Sequence, residues 1–392
     1  MKKIIAAALC CVLLFAFSGR GKAETGKADD HSEALERMNI QKVEDYLYTI
    51  TVEEYDYAFG REESAKLFKS GGCAAIRNGS LRGRNYDWTY DDQAYFVIYT
   101  PAKEGRHAVL GVAGSVDPLT AEAVDSGAWN DGYKSLVFAT LDGMNDAGVI
   151  SNILVVPSGE AGLTTGSNPE GEDLFAGTVN RYVLDYAGNV DEAIALLRER
   201  NIYMPQNERM DQEFHWMISD RERTVVIEFV NNEMVVLEGE KIATNFYLYD
   251  FDHTEKTLPR IPEGIERYNI IKSRYASTAT AEGMMKMLQR INYSNTYSVA
   301  NVPFWYSEYC KGDLDGSGFG EPDLSDGDLT KAGVFADTIE EGLTNWSFGR
   351  NHNTWITVYS AVYDMENLTL HIAAQERDAV HVFAMSDFSP QH

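Results

Sequence analysis

The segment Gly72-Cys73-Ala74-Ala75-Ile76-Arg77-Asn78-Gly79-Ser80-Leu81-Arg82-Gly83-Arg84-Asn85-Tyr86-Asp87-Trp88 decides how this chain is read. Asn78-Gly79 favours a tight turn, so Ala74 to Asn78 and Leu81 to Asp87 are expected to form a β-hairpin that begins at the cysteine. Arg84 and Asp87 return on the second strand, so a thiol, a cation and a carboxylate come close together. An Arg beside a thiol favours the thiolate and lowers a pKa that starts near ~8.5, while a carboxylate can orient a neighbouring amine. Ser70-Gly71-Gly72 just ahead is open enough for a processing site or a tight turn. Taken alone, the cysteine could equally be a small packed residue, and Arg84 and Asp87 a surface ion pair worth little.

Outward from this segment, the chain has 392 residues with 34 Lys+Arg against 60 Asp+Glu, a net charge of −26. Such a balance excludes a basic nucleic-acid footprint. With 44% hydrophobic residues the chain can bury a large core. Lys2-Lys3, the apolar run Ile4 to Phe17 and the small residues up to Ala23 read as a signal peptide over 1–23, too short to span a bilayer. That reading places the protein outside the cytoplasm, secreted or periplasmic. Cys10 and Cys11 leave with the leader, and only Cys73 and Cys310 remain. A disulfide between them would silence either thiol as a nucleophile.

Residues 24–45 are polar and helix-prone, with Ser32 as a candidate N-cap, and Tyr46 to Val52 reads as a strand. Further strands are expected at Ala94–Pro101, His107–Gly114, Leu136–Asp142, Val149–Val156, His215–Ser219, Thr224–Phe229 and Glu233–Leu237. Helices are expected at Leu174–Tyr186, Val190–Glu199, Ile265–Tyr275 and Ala281–Ile291, and three closing strands at Trp355–Tyr363, Leu368–Ala374 and Val380–Met385. Strands, helices, then strands without regular alternation argue for an α+β fold of antiparallel sheets covered by helices. One domain over 73–392, after a pro-segment 24–72, is the simplest organisation.

Several blocks carry a family likeness. The Cys73 hairpin, Asp142-Gly143-Met144-Asn145, His215-Trp216-Met217-Ile218-Ser219-Asp220 with Thr224 to Glu228, Ala243-Thr244-Asn245 and Glu266-Arg267-Tyr268 resemble, in order, the motifs of the choloylglycine hydrolase family. Those enzymes, the bile-salt hydrolases and penicillin V acylases, are N-terminal nucleophile hydrolases, with acid ceramidase-like relatives. The resemblance implies an αββα sandwich of two antiparallel sheets between helices and hydrolysis of a linear amide C–N bond. It makes Cys73 the nucleophile with Arg84 and Asp87 beside it, Asn245 a contributor to the oxyanion hole, and Arg267 a support for the cysteine. It also implies that the cysteine works after the Gly72–Cys73 bond is cut, when its own α-amine, with a reference pKa of ~7.7–8, serves as base.

No cofactor is implied, and the expected partner is a small N-acyl amide, with no nucleic acid, no stable membrane insertion and the pro-segment as a candidate to stay bound. A free Cys73 also implies no disulfide to Cys310. Alignment through the Asp-Gly-Met-Asn block puts Val155 where bile-salt hydrolases carry Asn or Tyr, so a second oxyanion donor is not identified. Two alternatives use the same residues: acyl transfer to an amine instead of water, and an uncleaved, ligand-binding relative without catalysis. His215 and Glu228 read as structural. Asp313, Asp315 and Ser317 stand at alternate positions like the first half of a calcium loop, but Leu324 occupies the twelfth place.

Overall fold

A computed structural model describes residues 40–55, 72–89, 94–103, 105–114, 120–126, 136–157, 162–163, 166–204, 212–249, 263–293 and 355–388. The leader, Ser32, Cys310, the candidate calcium residues Asp313, Asp315 and Ser317, and Leu324 lie outside them.

Two large sheets face one another. The nine-stranded sheet runs β1 (Ile40–Glu44), β2 (Leu47–Thr51), β5 (Tyr95–Thr100), β6 (Val109–Gly114), β7 (Thr140–Asn145), β8 (Ile150–Pro157), β11 (Gln212–Ser219), β12 (Thr224–Val230) and β13 (Glu233–Glu238). The six-stranded sheet runs β14 (Ile242–Ala243), β3 (Cys73–Asn78), β4 (Leu81–Thr89), β15 (Trp355–Asp364), β16 (Thr369–Ala374) and β17 (His381–Ala384). A small parallel pair joins β9 (Glu172–Phe175) to β10 (Arg200–Tyr203).

Strand periodicity sets the layers, since successive side chains point to opposite faces. In β3, Cys73 and Ala75 face the other sheet and join the main core, whereas Ala74 and Ile76 pack outward with Ile271, Met284 and Leu288. Those outward partners come from helices over the six-stranded sheet. After a short α1 (Ala121–Asp125), helices α2 (Val179–Tyr186) and α3 (Val190–Arg198) pack against the nine-stranded sheet, and α4 (Glu263–Ser273) and α5 (Ala281–Arg290) cover the other. Asn189 caps α3 by accepting from the Glu192 N–H, and Thr280 caps α5 through Gly283. Helix α5 sits so close to β4 that a Cβ at Gly83 would stand 2.8 Å from the Met284 side chain.

The hairpin forms as expected, with Asn78 paired to Leu81 and Gly79 in the left-handed region at φ 59°. Residues 40–44, expected to continue a polar helix, form an edge strand instead. An edge strand that exposes Gln41 and Lys42 is as polar as a helix start, and a tight turn with Tyr46 at φ 70° folds it onto β2. Leu136 to Ala139 make one turn of 3-10 helix, and the strand expected there begins at Thr140. The helix expected from Leu174 starts only at Val179, because Glu172–Phe175 pairs with β10. The nine-stranded sheet contains one parallel pair, β2 with β5, in place of a wholly antiparallel arrangement. Among the described residues no helix is long and apolar enough to cross a membrane.

Candidate active site

Cys73 opens β3 fully buried, opposite Tyr86 on β4. Two positions away on the same inner face, Arg84 places Nη2 3.4 Å from the Cys73 Sγ. Its Nη1 donates to the Ile153 carbonyl, and its Nε lies 2.9 Å from Asp142 Oδ2. That last approach is too oblique for a hydrogen bond, so it acts as an ion pair between two fully buried groups. Burial opposes the guanidinium's charge, yet Cys73, Tyr359 and Asp142 around it hold it protonated even more firmly than usual. Burial pushes the Asp142 carboxyl up, against the pull of Arg84 and the two tyrosines that donate to it, Tyr359 and Tyr363.

Asn245 follows the short strand β14, whose pairing with β3 brings it to the cysteine. Its Oδ1 accepts from the Cys73 backbone N–H at 2.7 Å and its Nδ2 donates to the Val155 carbonyl at 2.8 Å. A donor on one side and an acceptor on the other leave one consistent orientation of the amide. Glu228 fixes the segment beyond it, taking the Leu248 and Tyr249 N–H groups at 2.8 Å each and His215 Nδ1 at 2.9 Å.

Asp87 sits at the head of the Gly72–Cys73 bond. Its backbone N–H donates to the Gly72 carbonyl at 2.9 Å. Its carboxylate takes Arg267 Nη1 on Oδ2 and the Thr357 hydroxyl on Oδ1, the latter at 2.6 Å. A Cβ on Gly72 would lie 2.6 Å from Asp87 Oδ2, so any larger residue there would displace the carboxylate.

The five candidates Cys73, Arg84, Asp87, Asn245 and Arg267 therefore meet in one buried cluster, drawn from β3, β4, the turn after β14 and helix α4. Sequence reasoning left out Thr357, Tyr359, Tyr363 and any role for Asp142. Period-2 alternation along Trp355–Asp364 puts Tyr359 and Tyr363 on one face, but a register shift between Thr357 and Tyr359 sets Thr357 opposite Asp87 instead, and nothing local says which strand either face meets. Val155 contributes its carbonyl to the site, and Asn152 accepts from Arg82 Nε at 2.7 Å. Among the described residues Cys73 forms no disulfide. Among the described residues no cluster of three or more His, Cys, Asp or Glu side chains is arranged to hold a metal ion.

The model of the linear amide C–N hydrolases, choloylglycine hydrolase family, matches residues 76–258, beginning three positions after Cys73. Solved structures similar to this chain include variants of a conjugated bile acid hydrolase from Clostridium perfringens. One is 15% identical with a TM-score of 0.45, covering 81% of this chain and 94% of that one. Another is the penicillin V acylase from Agrobacterium tumefaciens, 15% identical with a TM-score of 0.41, covering 80% and 86%. No curated protein matches the chain in sequence.

Proposed function

We propose that this chain, whose residues 76–258 match the linear amide C–N hydrolases of the choloylglycine hydrolase family, is an exported amidase acting on N-acyl substrates through a Cys73 thioester once residues up to Gly72 are cut away. The observation that carries this reading is the arrangement on both sides of one peptide bond. The Asp87 N–H polarises the Gly72 carbonyl, Asn245 holds the Cys73 N–H, and Arg84 faces the Cys73 thiol.

In the precursor, the Cys73 thiol attacks the Gly72 carbonyl, the Cys73 nitrogen leaves with a proton as the new α-amine, and water opens the resulting thioester. In the mature enzyme that amine takes the thiol proton, and the thiolate attacks the substrate amide. Asn245 has a second Nδ2 hydrogen beyond the one given to Val155, and this is the donor for the oxyanion. The substrate amine departs protonated and water hydrolyses the acyl-enzyme, restoring the thiol. No histidine base is required. The leader over 1–23 directs export.

The pro-segment stays attached after cleavage. Leu47, Tyr48 and Ile50 are fully buried in the nine-stranded sheet, and each such side chain contributes roughly 1.5–3 kcal/mol. Beyond β2, the Tyr55 hydroxyl reaches the Asp185 carboxylate at 2.8 and 2.9 Å and accepts from Arg181 at 2.8 Å.

Mass spectrometry and terminal sequencing of exported protein test the whole reading. A chain beginning at Cys73 is expected, with a fragment ending at Gly72 that co-purifies in native buffer and separates in denaturant. The reading fails if the Gly72–Cys73 bond stays intact in fully active protein, or if Cys73→Ser retains full amidase activity on a panel of N-acyl amides. Gly72→Ala is expected to slow cleavage by crowding Asp87.

A further inference from the structure

We propose that Asp142, clamped by the Tyr359 and Tyr363 hydroxyls, is the positioning residue that aims Arg84 at the Cys73 thiol. The inference rests on reading Cys73 as the nucleophile, but its chief test uses the thiol itself and not turnover.

The argument starts from the shape of the guanidinium. It is a planar fork whose donors have fixed relative directions. Once Nε is held against Asp142 and Nη1 against the Ile153 carbonyl, Nη2 has only one direction left, and Cys73 Sγ lies there at 3.4 Å. The Ile153 anchor is backbone and belongs to the sheet. The Asp142 anchor is a side chain that could rotate, so what fixes Asp142 also fixes Arg84.

Asp142 is fixed from the opposite sheet. It stands on β7, while Tyr359 and Tyr363 come from β15, one donating to each carboxylate oxygen. Tyr359 in turn stacks on Tyr86, with ring centroids 5.4 Å apart and planes at 21°, and Tyr86 is the residue paired opposite Cys73. The path from Asp142 through Tyr359 and Tyr86 thus returns to the cysteine. All members but Tyr86 are fully buried, and Tyr86 is 3% exposed, so water offers the carboxylate no alternative partners. The carboxylate also balances the guanidinium, which lets a cation remain beside the thiol in the space between the sheets.

A merely structural ion pair would affect folding alone. A positioning pair affects the thiol, and does so only through Arg84. The test compares Asp142→Asn, Tyr359→Phe and Tyr363→Phe, each in the native background and in Arg84→Gln, with full-length protein. Modification of Cys73 by methyl methanethiosulfonate is followed against pH, alongside thermal melting. In the native background Asp142→Asn is expected to slow modification at neutral pH about tenfold, and the tyrosine variants about threefold, with the pH–rate curve displaced toward higher pH. In the Arg84→Gln background the same changes are expected to have no further effect, because residues acting through one group are not additive.

The proposal is overturned if the losses add in the Arg84→Gln background. It is equally overturned if folded variants keep the native pH–rate curve, or if native Cys73 resists the reagent at every pH. Should Asp142→Asn fail to fold, Tyr363→Phe removes one hydroxyl and carries the comparison by itself. A protein that shows the coupling but cleaves no N-acyl amide would refute the amidase reading and leave the clamp standing.

Discussion

Arg82 and Arg84 sit two positions apart on β4, point into the same space between the sheets and are both fully buried, yet their surroundings are opposite. Arg84 faces a carboxylate and a thiol. Arg82 donates to neutral groups only: Asn152 Oδ1 at 2.7 Å, the Ser219 hydroxyl at 2.6 Å, Thr224 Oγ1 at 3.3 Å and the Met217 carbonyl at 2.7 Å. Burial, reinforced by the like charges of Arg77 and Arg84, pulls the Arg82 guanidinium well below its ordinary value, whereas the anionic neighbours of Arg84 push that group above it. Equal burial on one strand therefore yields a cross-sheet strut at one position and an electrostatic partner for the thiol at the other. The difference lies in which strand of the facing sheet each side chain meets.

This contrast can be broken most forcefully at Arg84. Arg84→Gln is expected to lower kcat/KM per folded molecule by about 10²–10³-fold, equivalent to roughly 3–4 kcal/mol of transition-state stabilisation, and also to lower the melting temperature, because Asp142 is left buried without its cation. The mirror-image change, Arg82→Gln, is expected to cost about 2–4 kcal/mol of folding stability in urea titration and to alter activity per folded molecule less than threefold. Equal activity losses at the two positions would erase the distinction.

Arg84→Lys sharpens it further. The ammonium keeps the charge but lacks the fork, so about a tenfold loss is expected, carried by kcat and not KM. A Lys variant with native kcat would mean that charge alone suffices and that direction does not matter.

The smallest effect concerns a buried carboxyl without a cation. Burial pushes Glu213 up to about 7, with only the Leu163 N–H acting against it. A raised carboxyl binds its proton more tightly in the folded state, so its favourable contribution is complete below about pH 4.5 and is lost as pH rises toward 7. Glu213→Gln is expected to flatten stability over that interval by on the order of 1–2 kcal/mol, read from melting curves at stepped pH. An unchanged pH dependence would show that Glu213 already has a compensating partner.

Parts of this arrangement could be read before any fold was known, and the limit is physical. The Cys73 hairpin was legible because its turn chemistry and strand alternation are local, and with it the nearness of Arg84 to the thiol. Asn245 and Arg267 were legible only through the order of family motifs, since nothing in the spacing of residues 73, 245 and 267 makes them neighbours. Thr357 and Asp142 escaped altogether. Their places depend on β15 lying beside β4 and on the two sheets facing one another, which composition and periodicity leave open. Residues 40–44 misled for a different reason: a solvated edge strand and the first turn of a helix draw on the same polar residues.

The long spans between the partners of Asp87 have a consequence for timing. Arg267 arrives from 180 residues further along the chain and Thr357 from 270. The Asn-Gly hairpin can close early, but loops of such length close late and slow the search for the native arrangement. During synthesis the carboxylate above the Gly72–Cys73 bond thus waits for almost the last strand to emerge, so a nascent or truncated chain holds a cysteine and no finished machinery to use it. On the proposed self-cleavage, the order in which the polypeptide is made would be a built-in delay on activation.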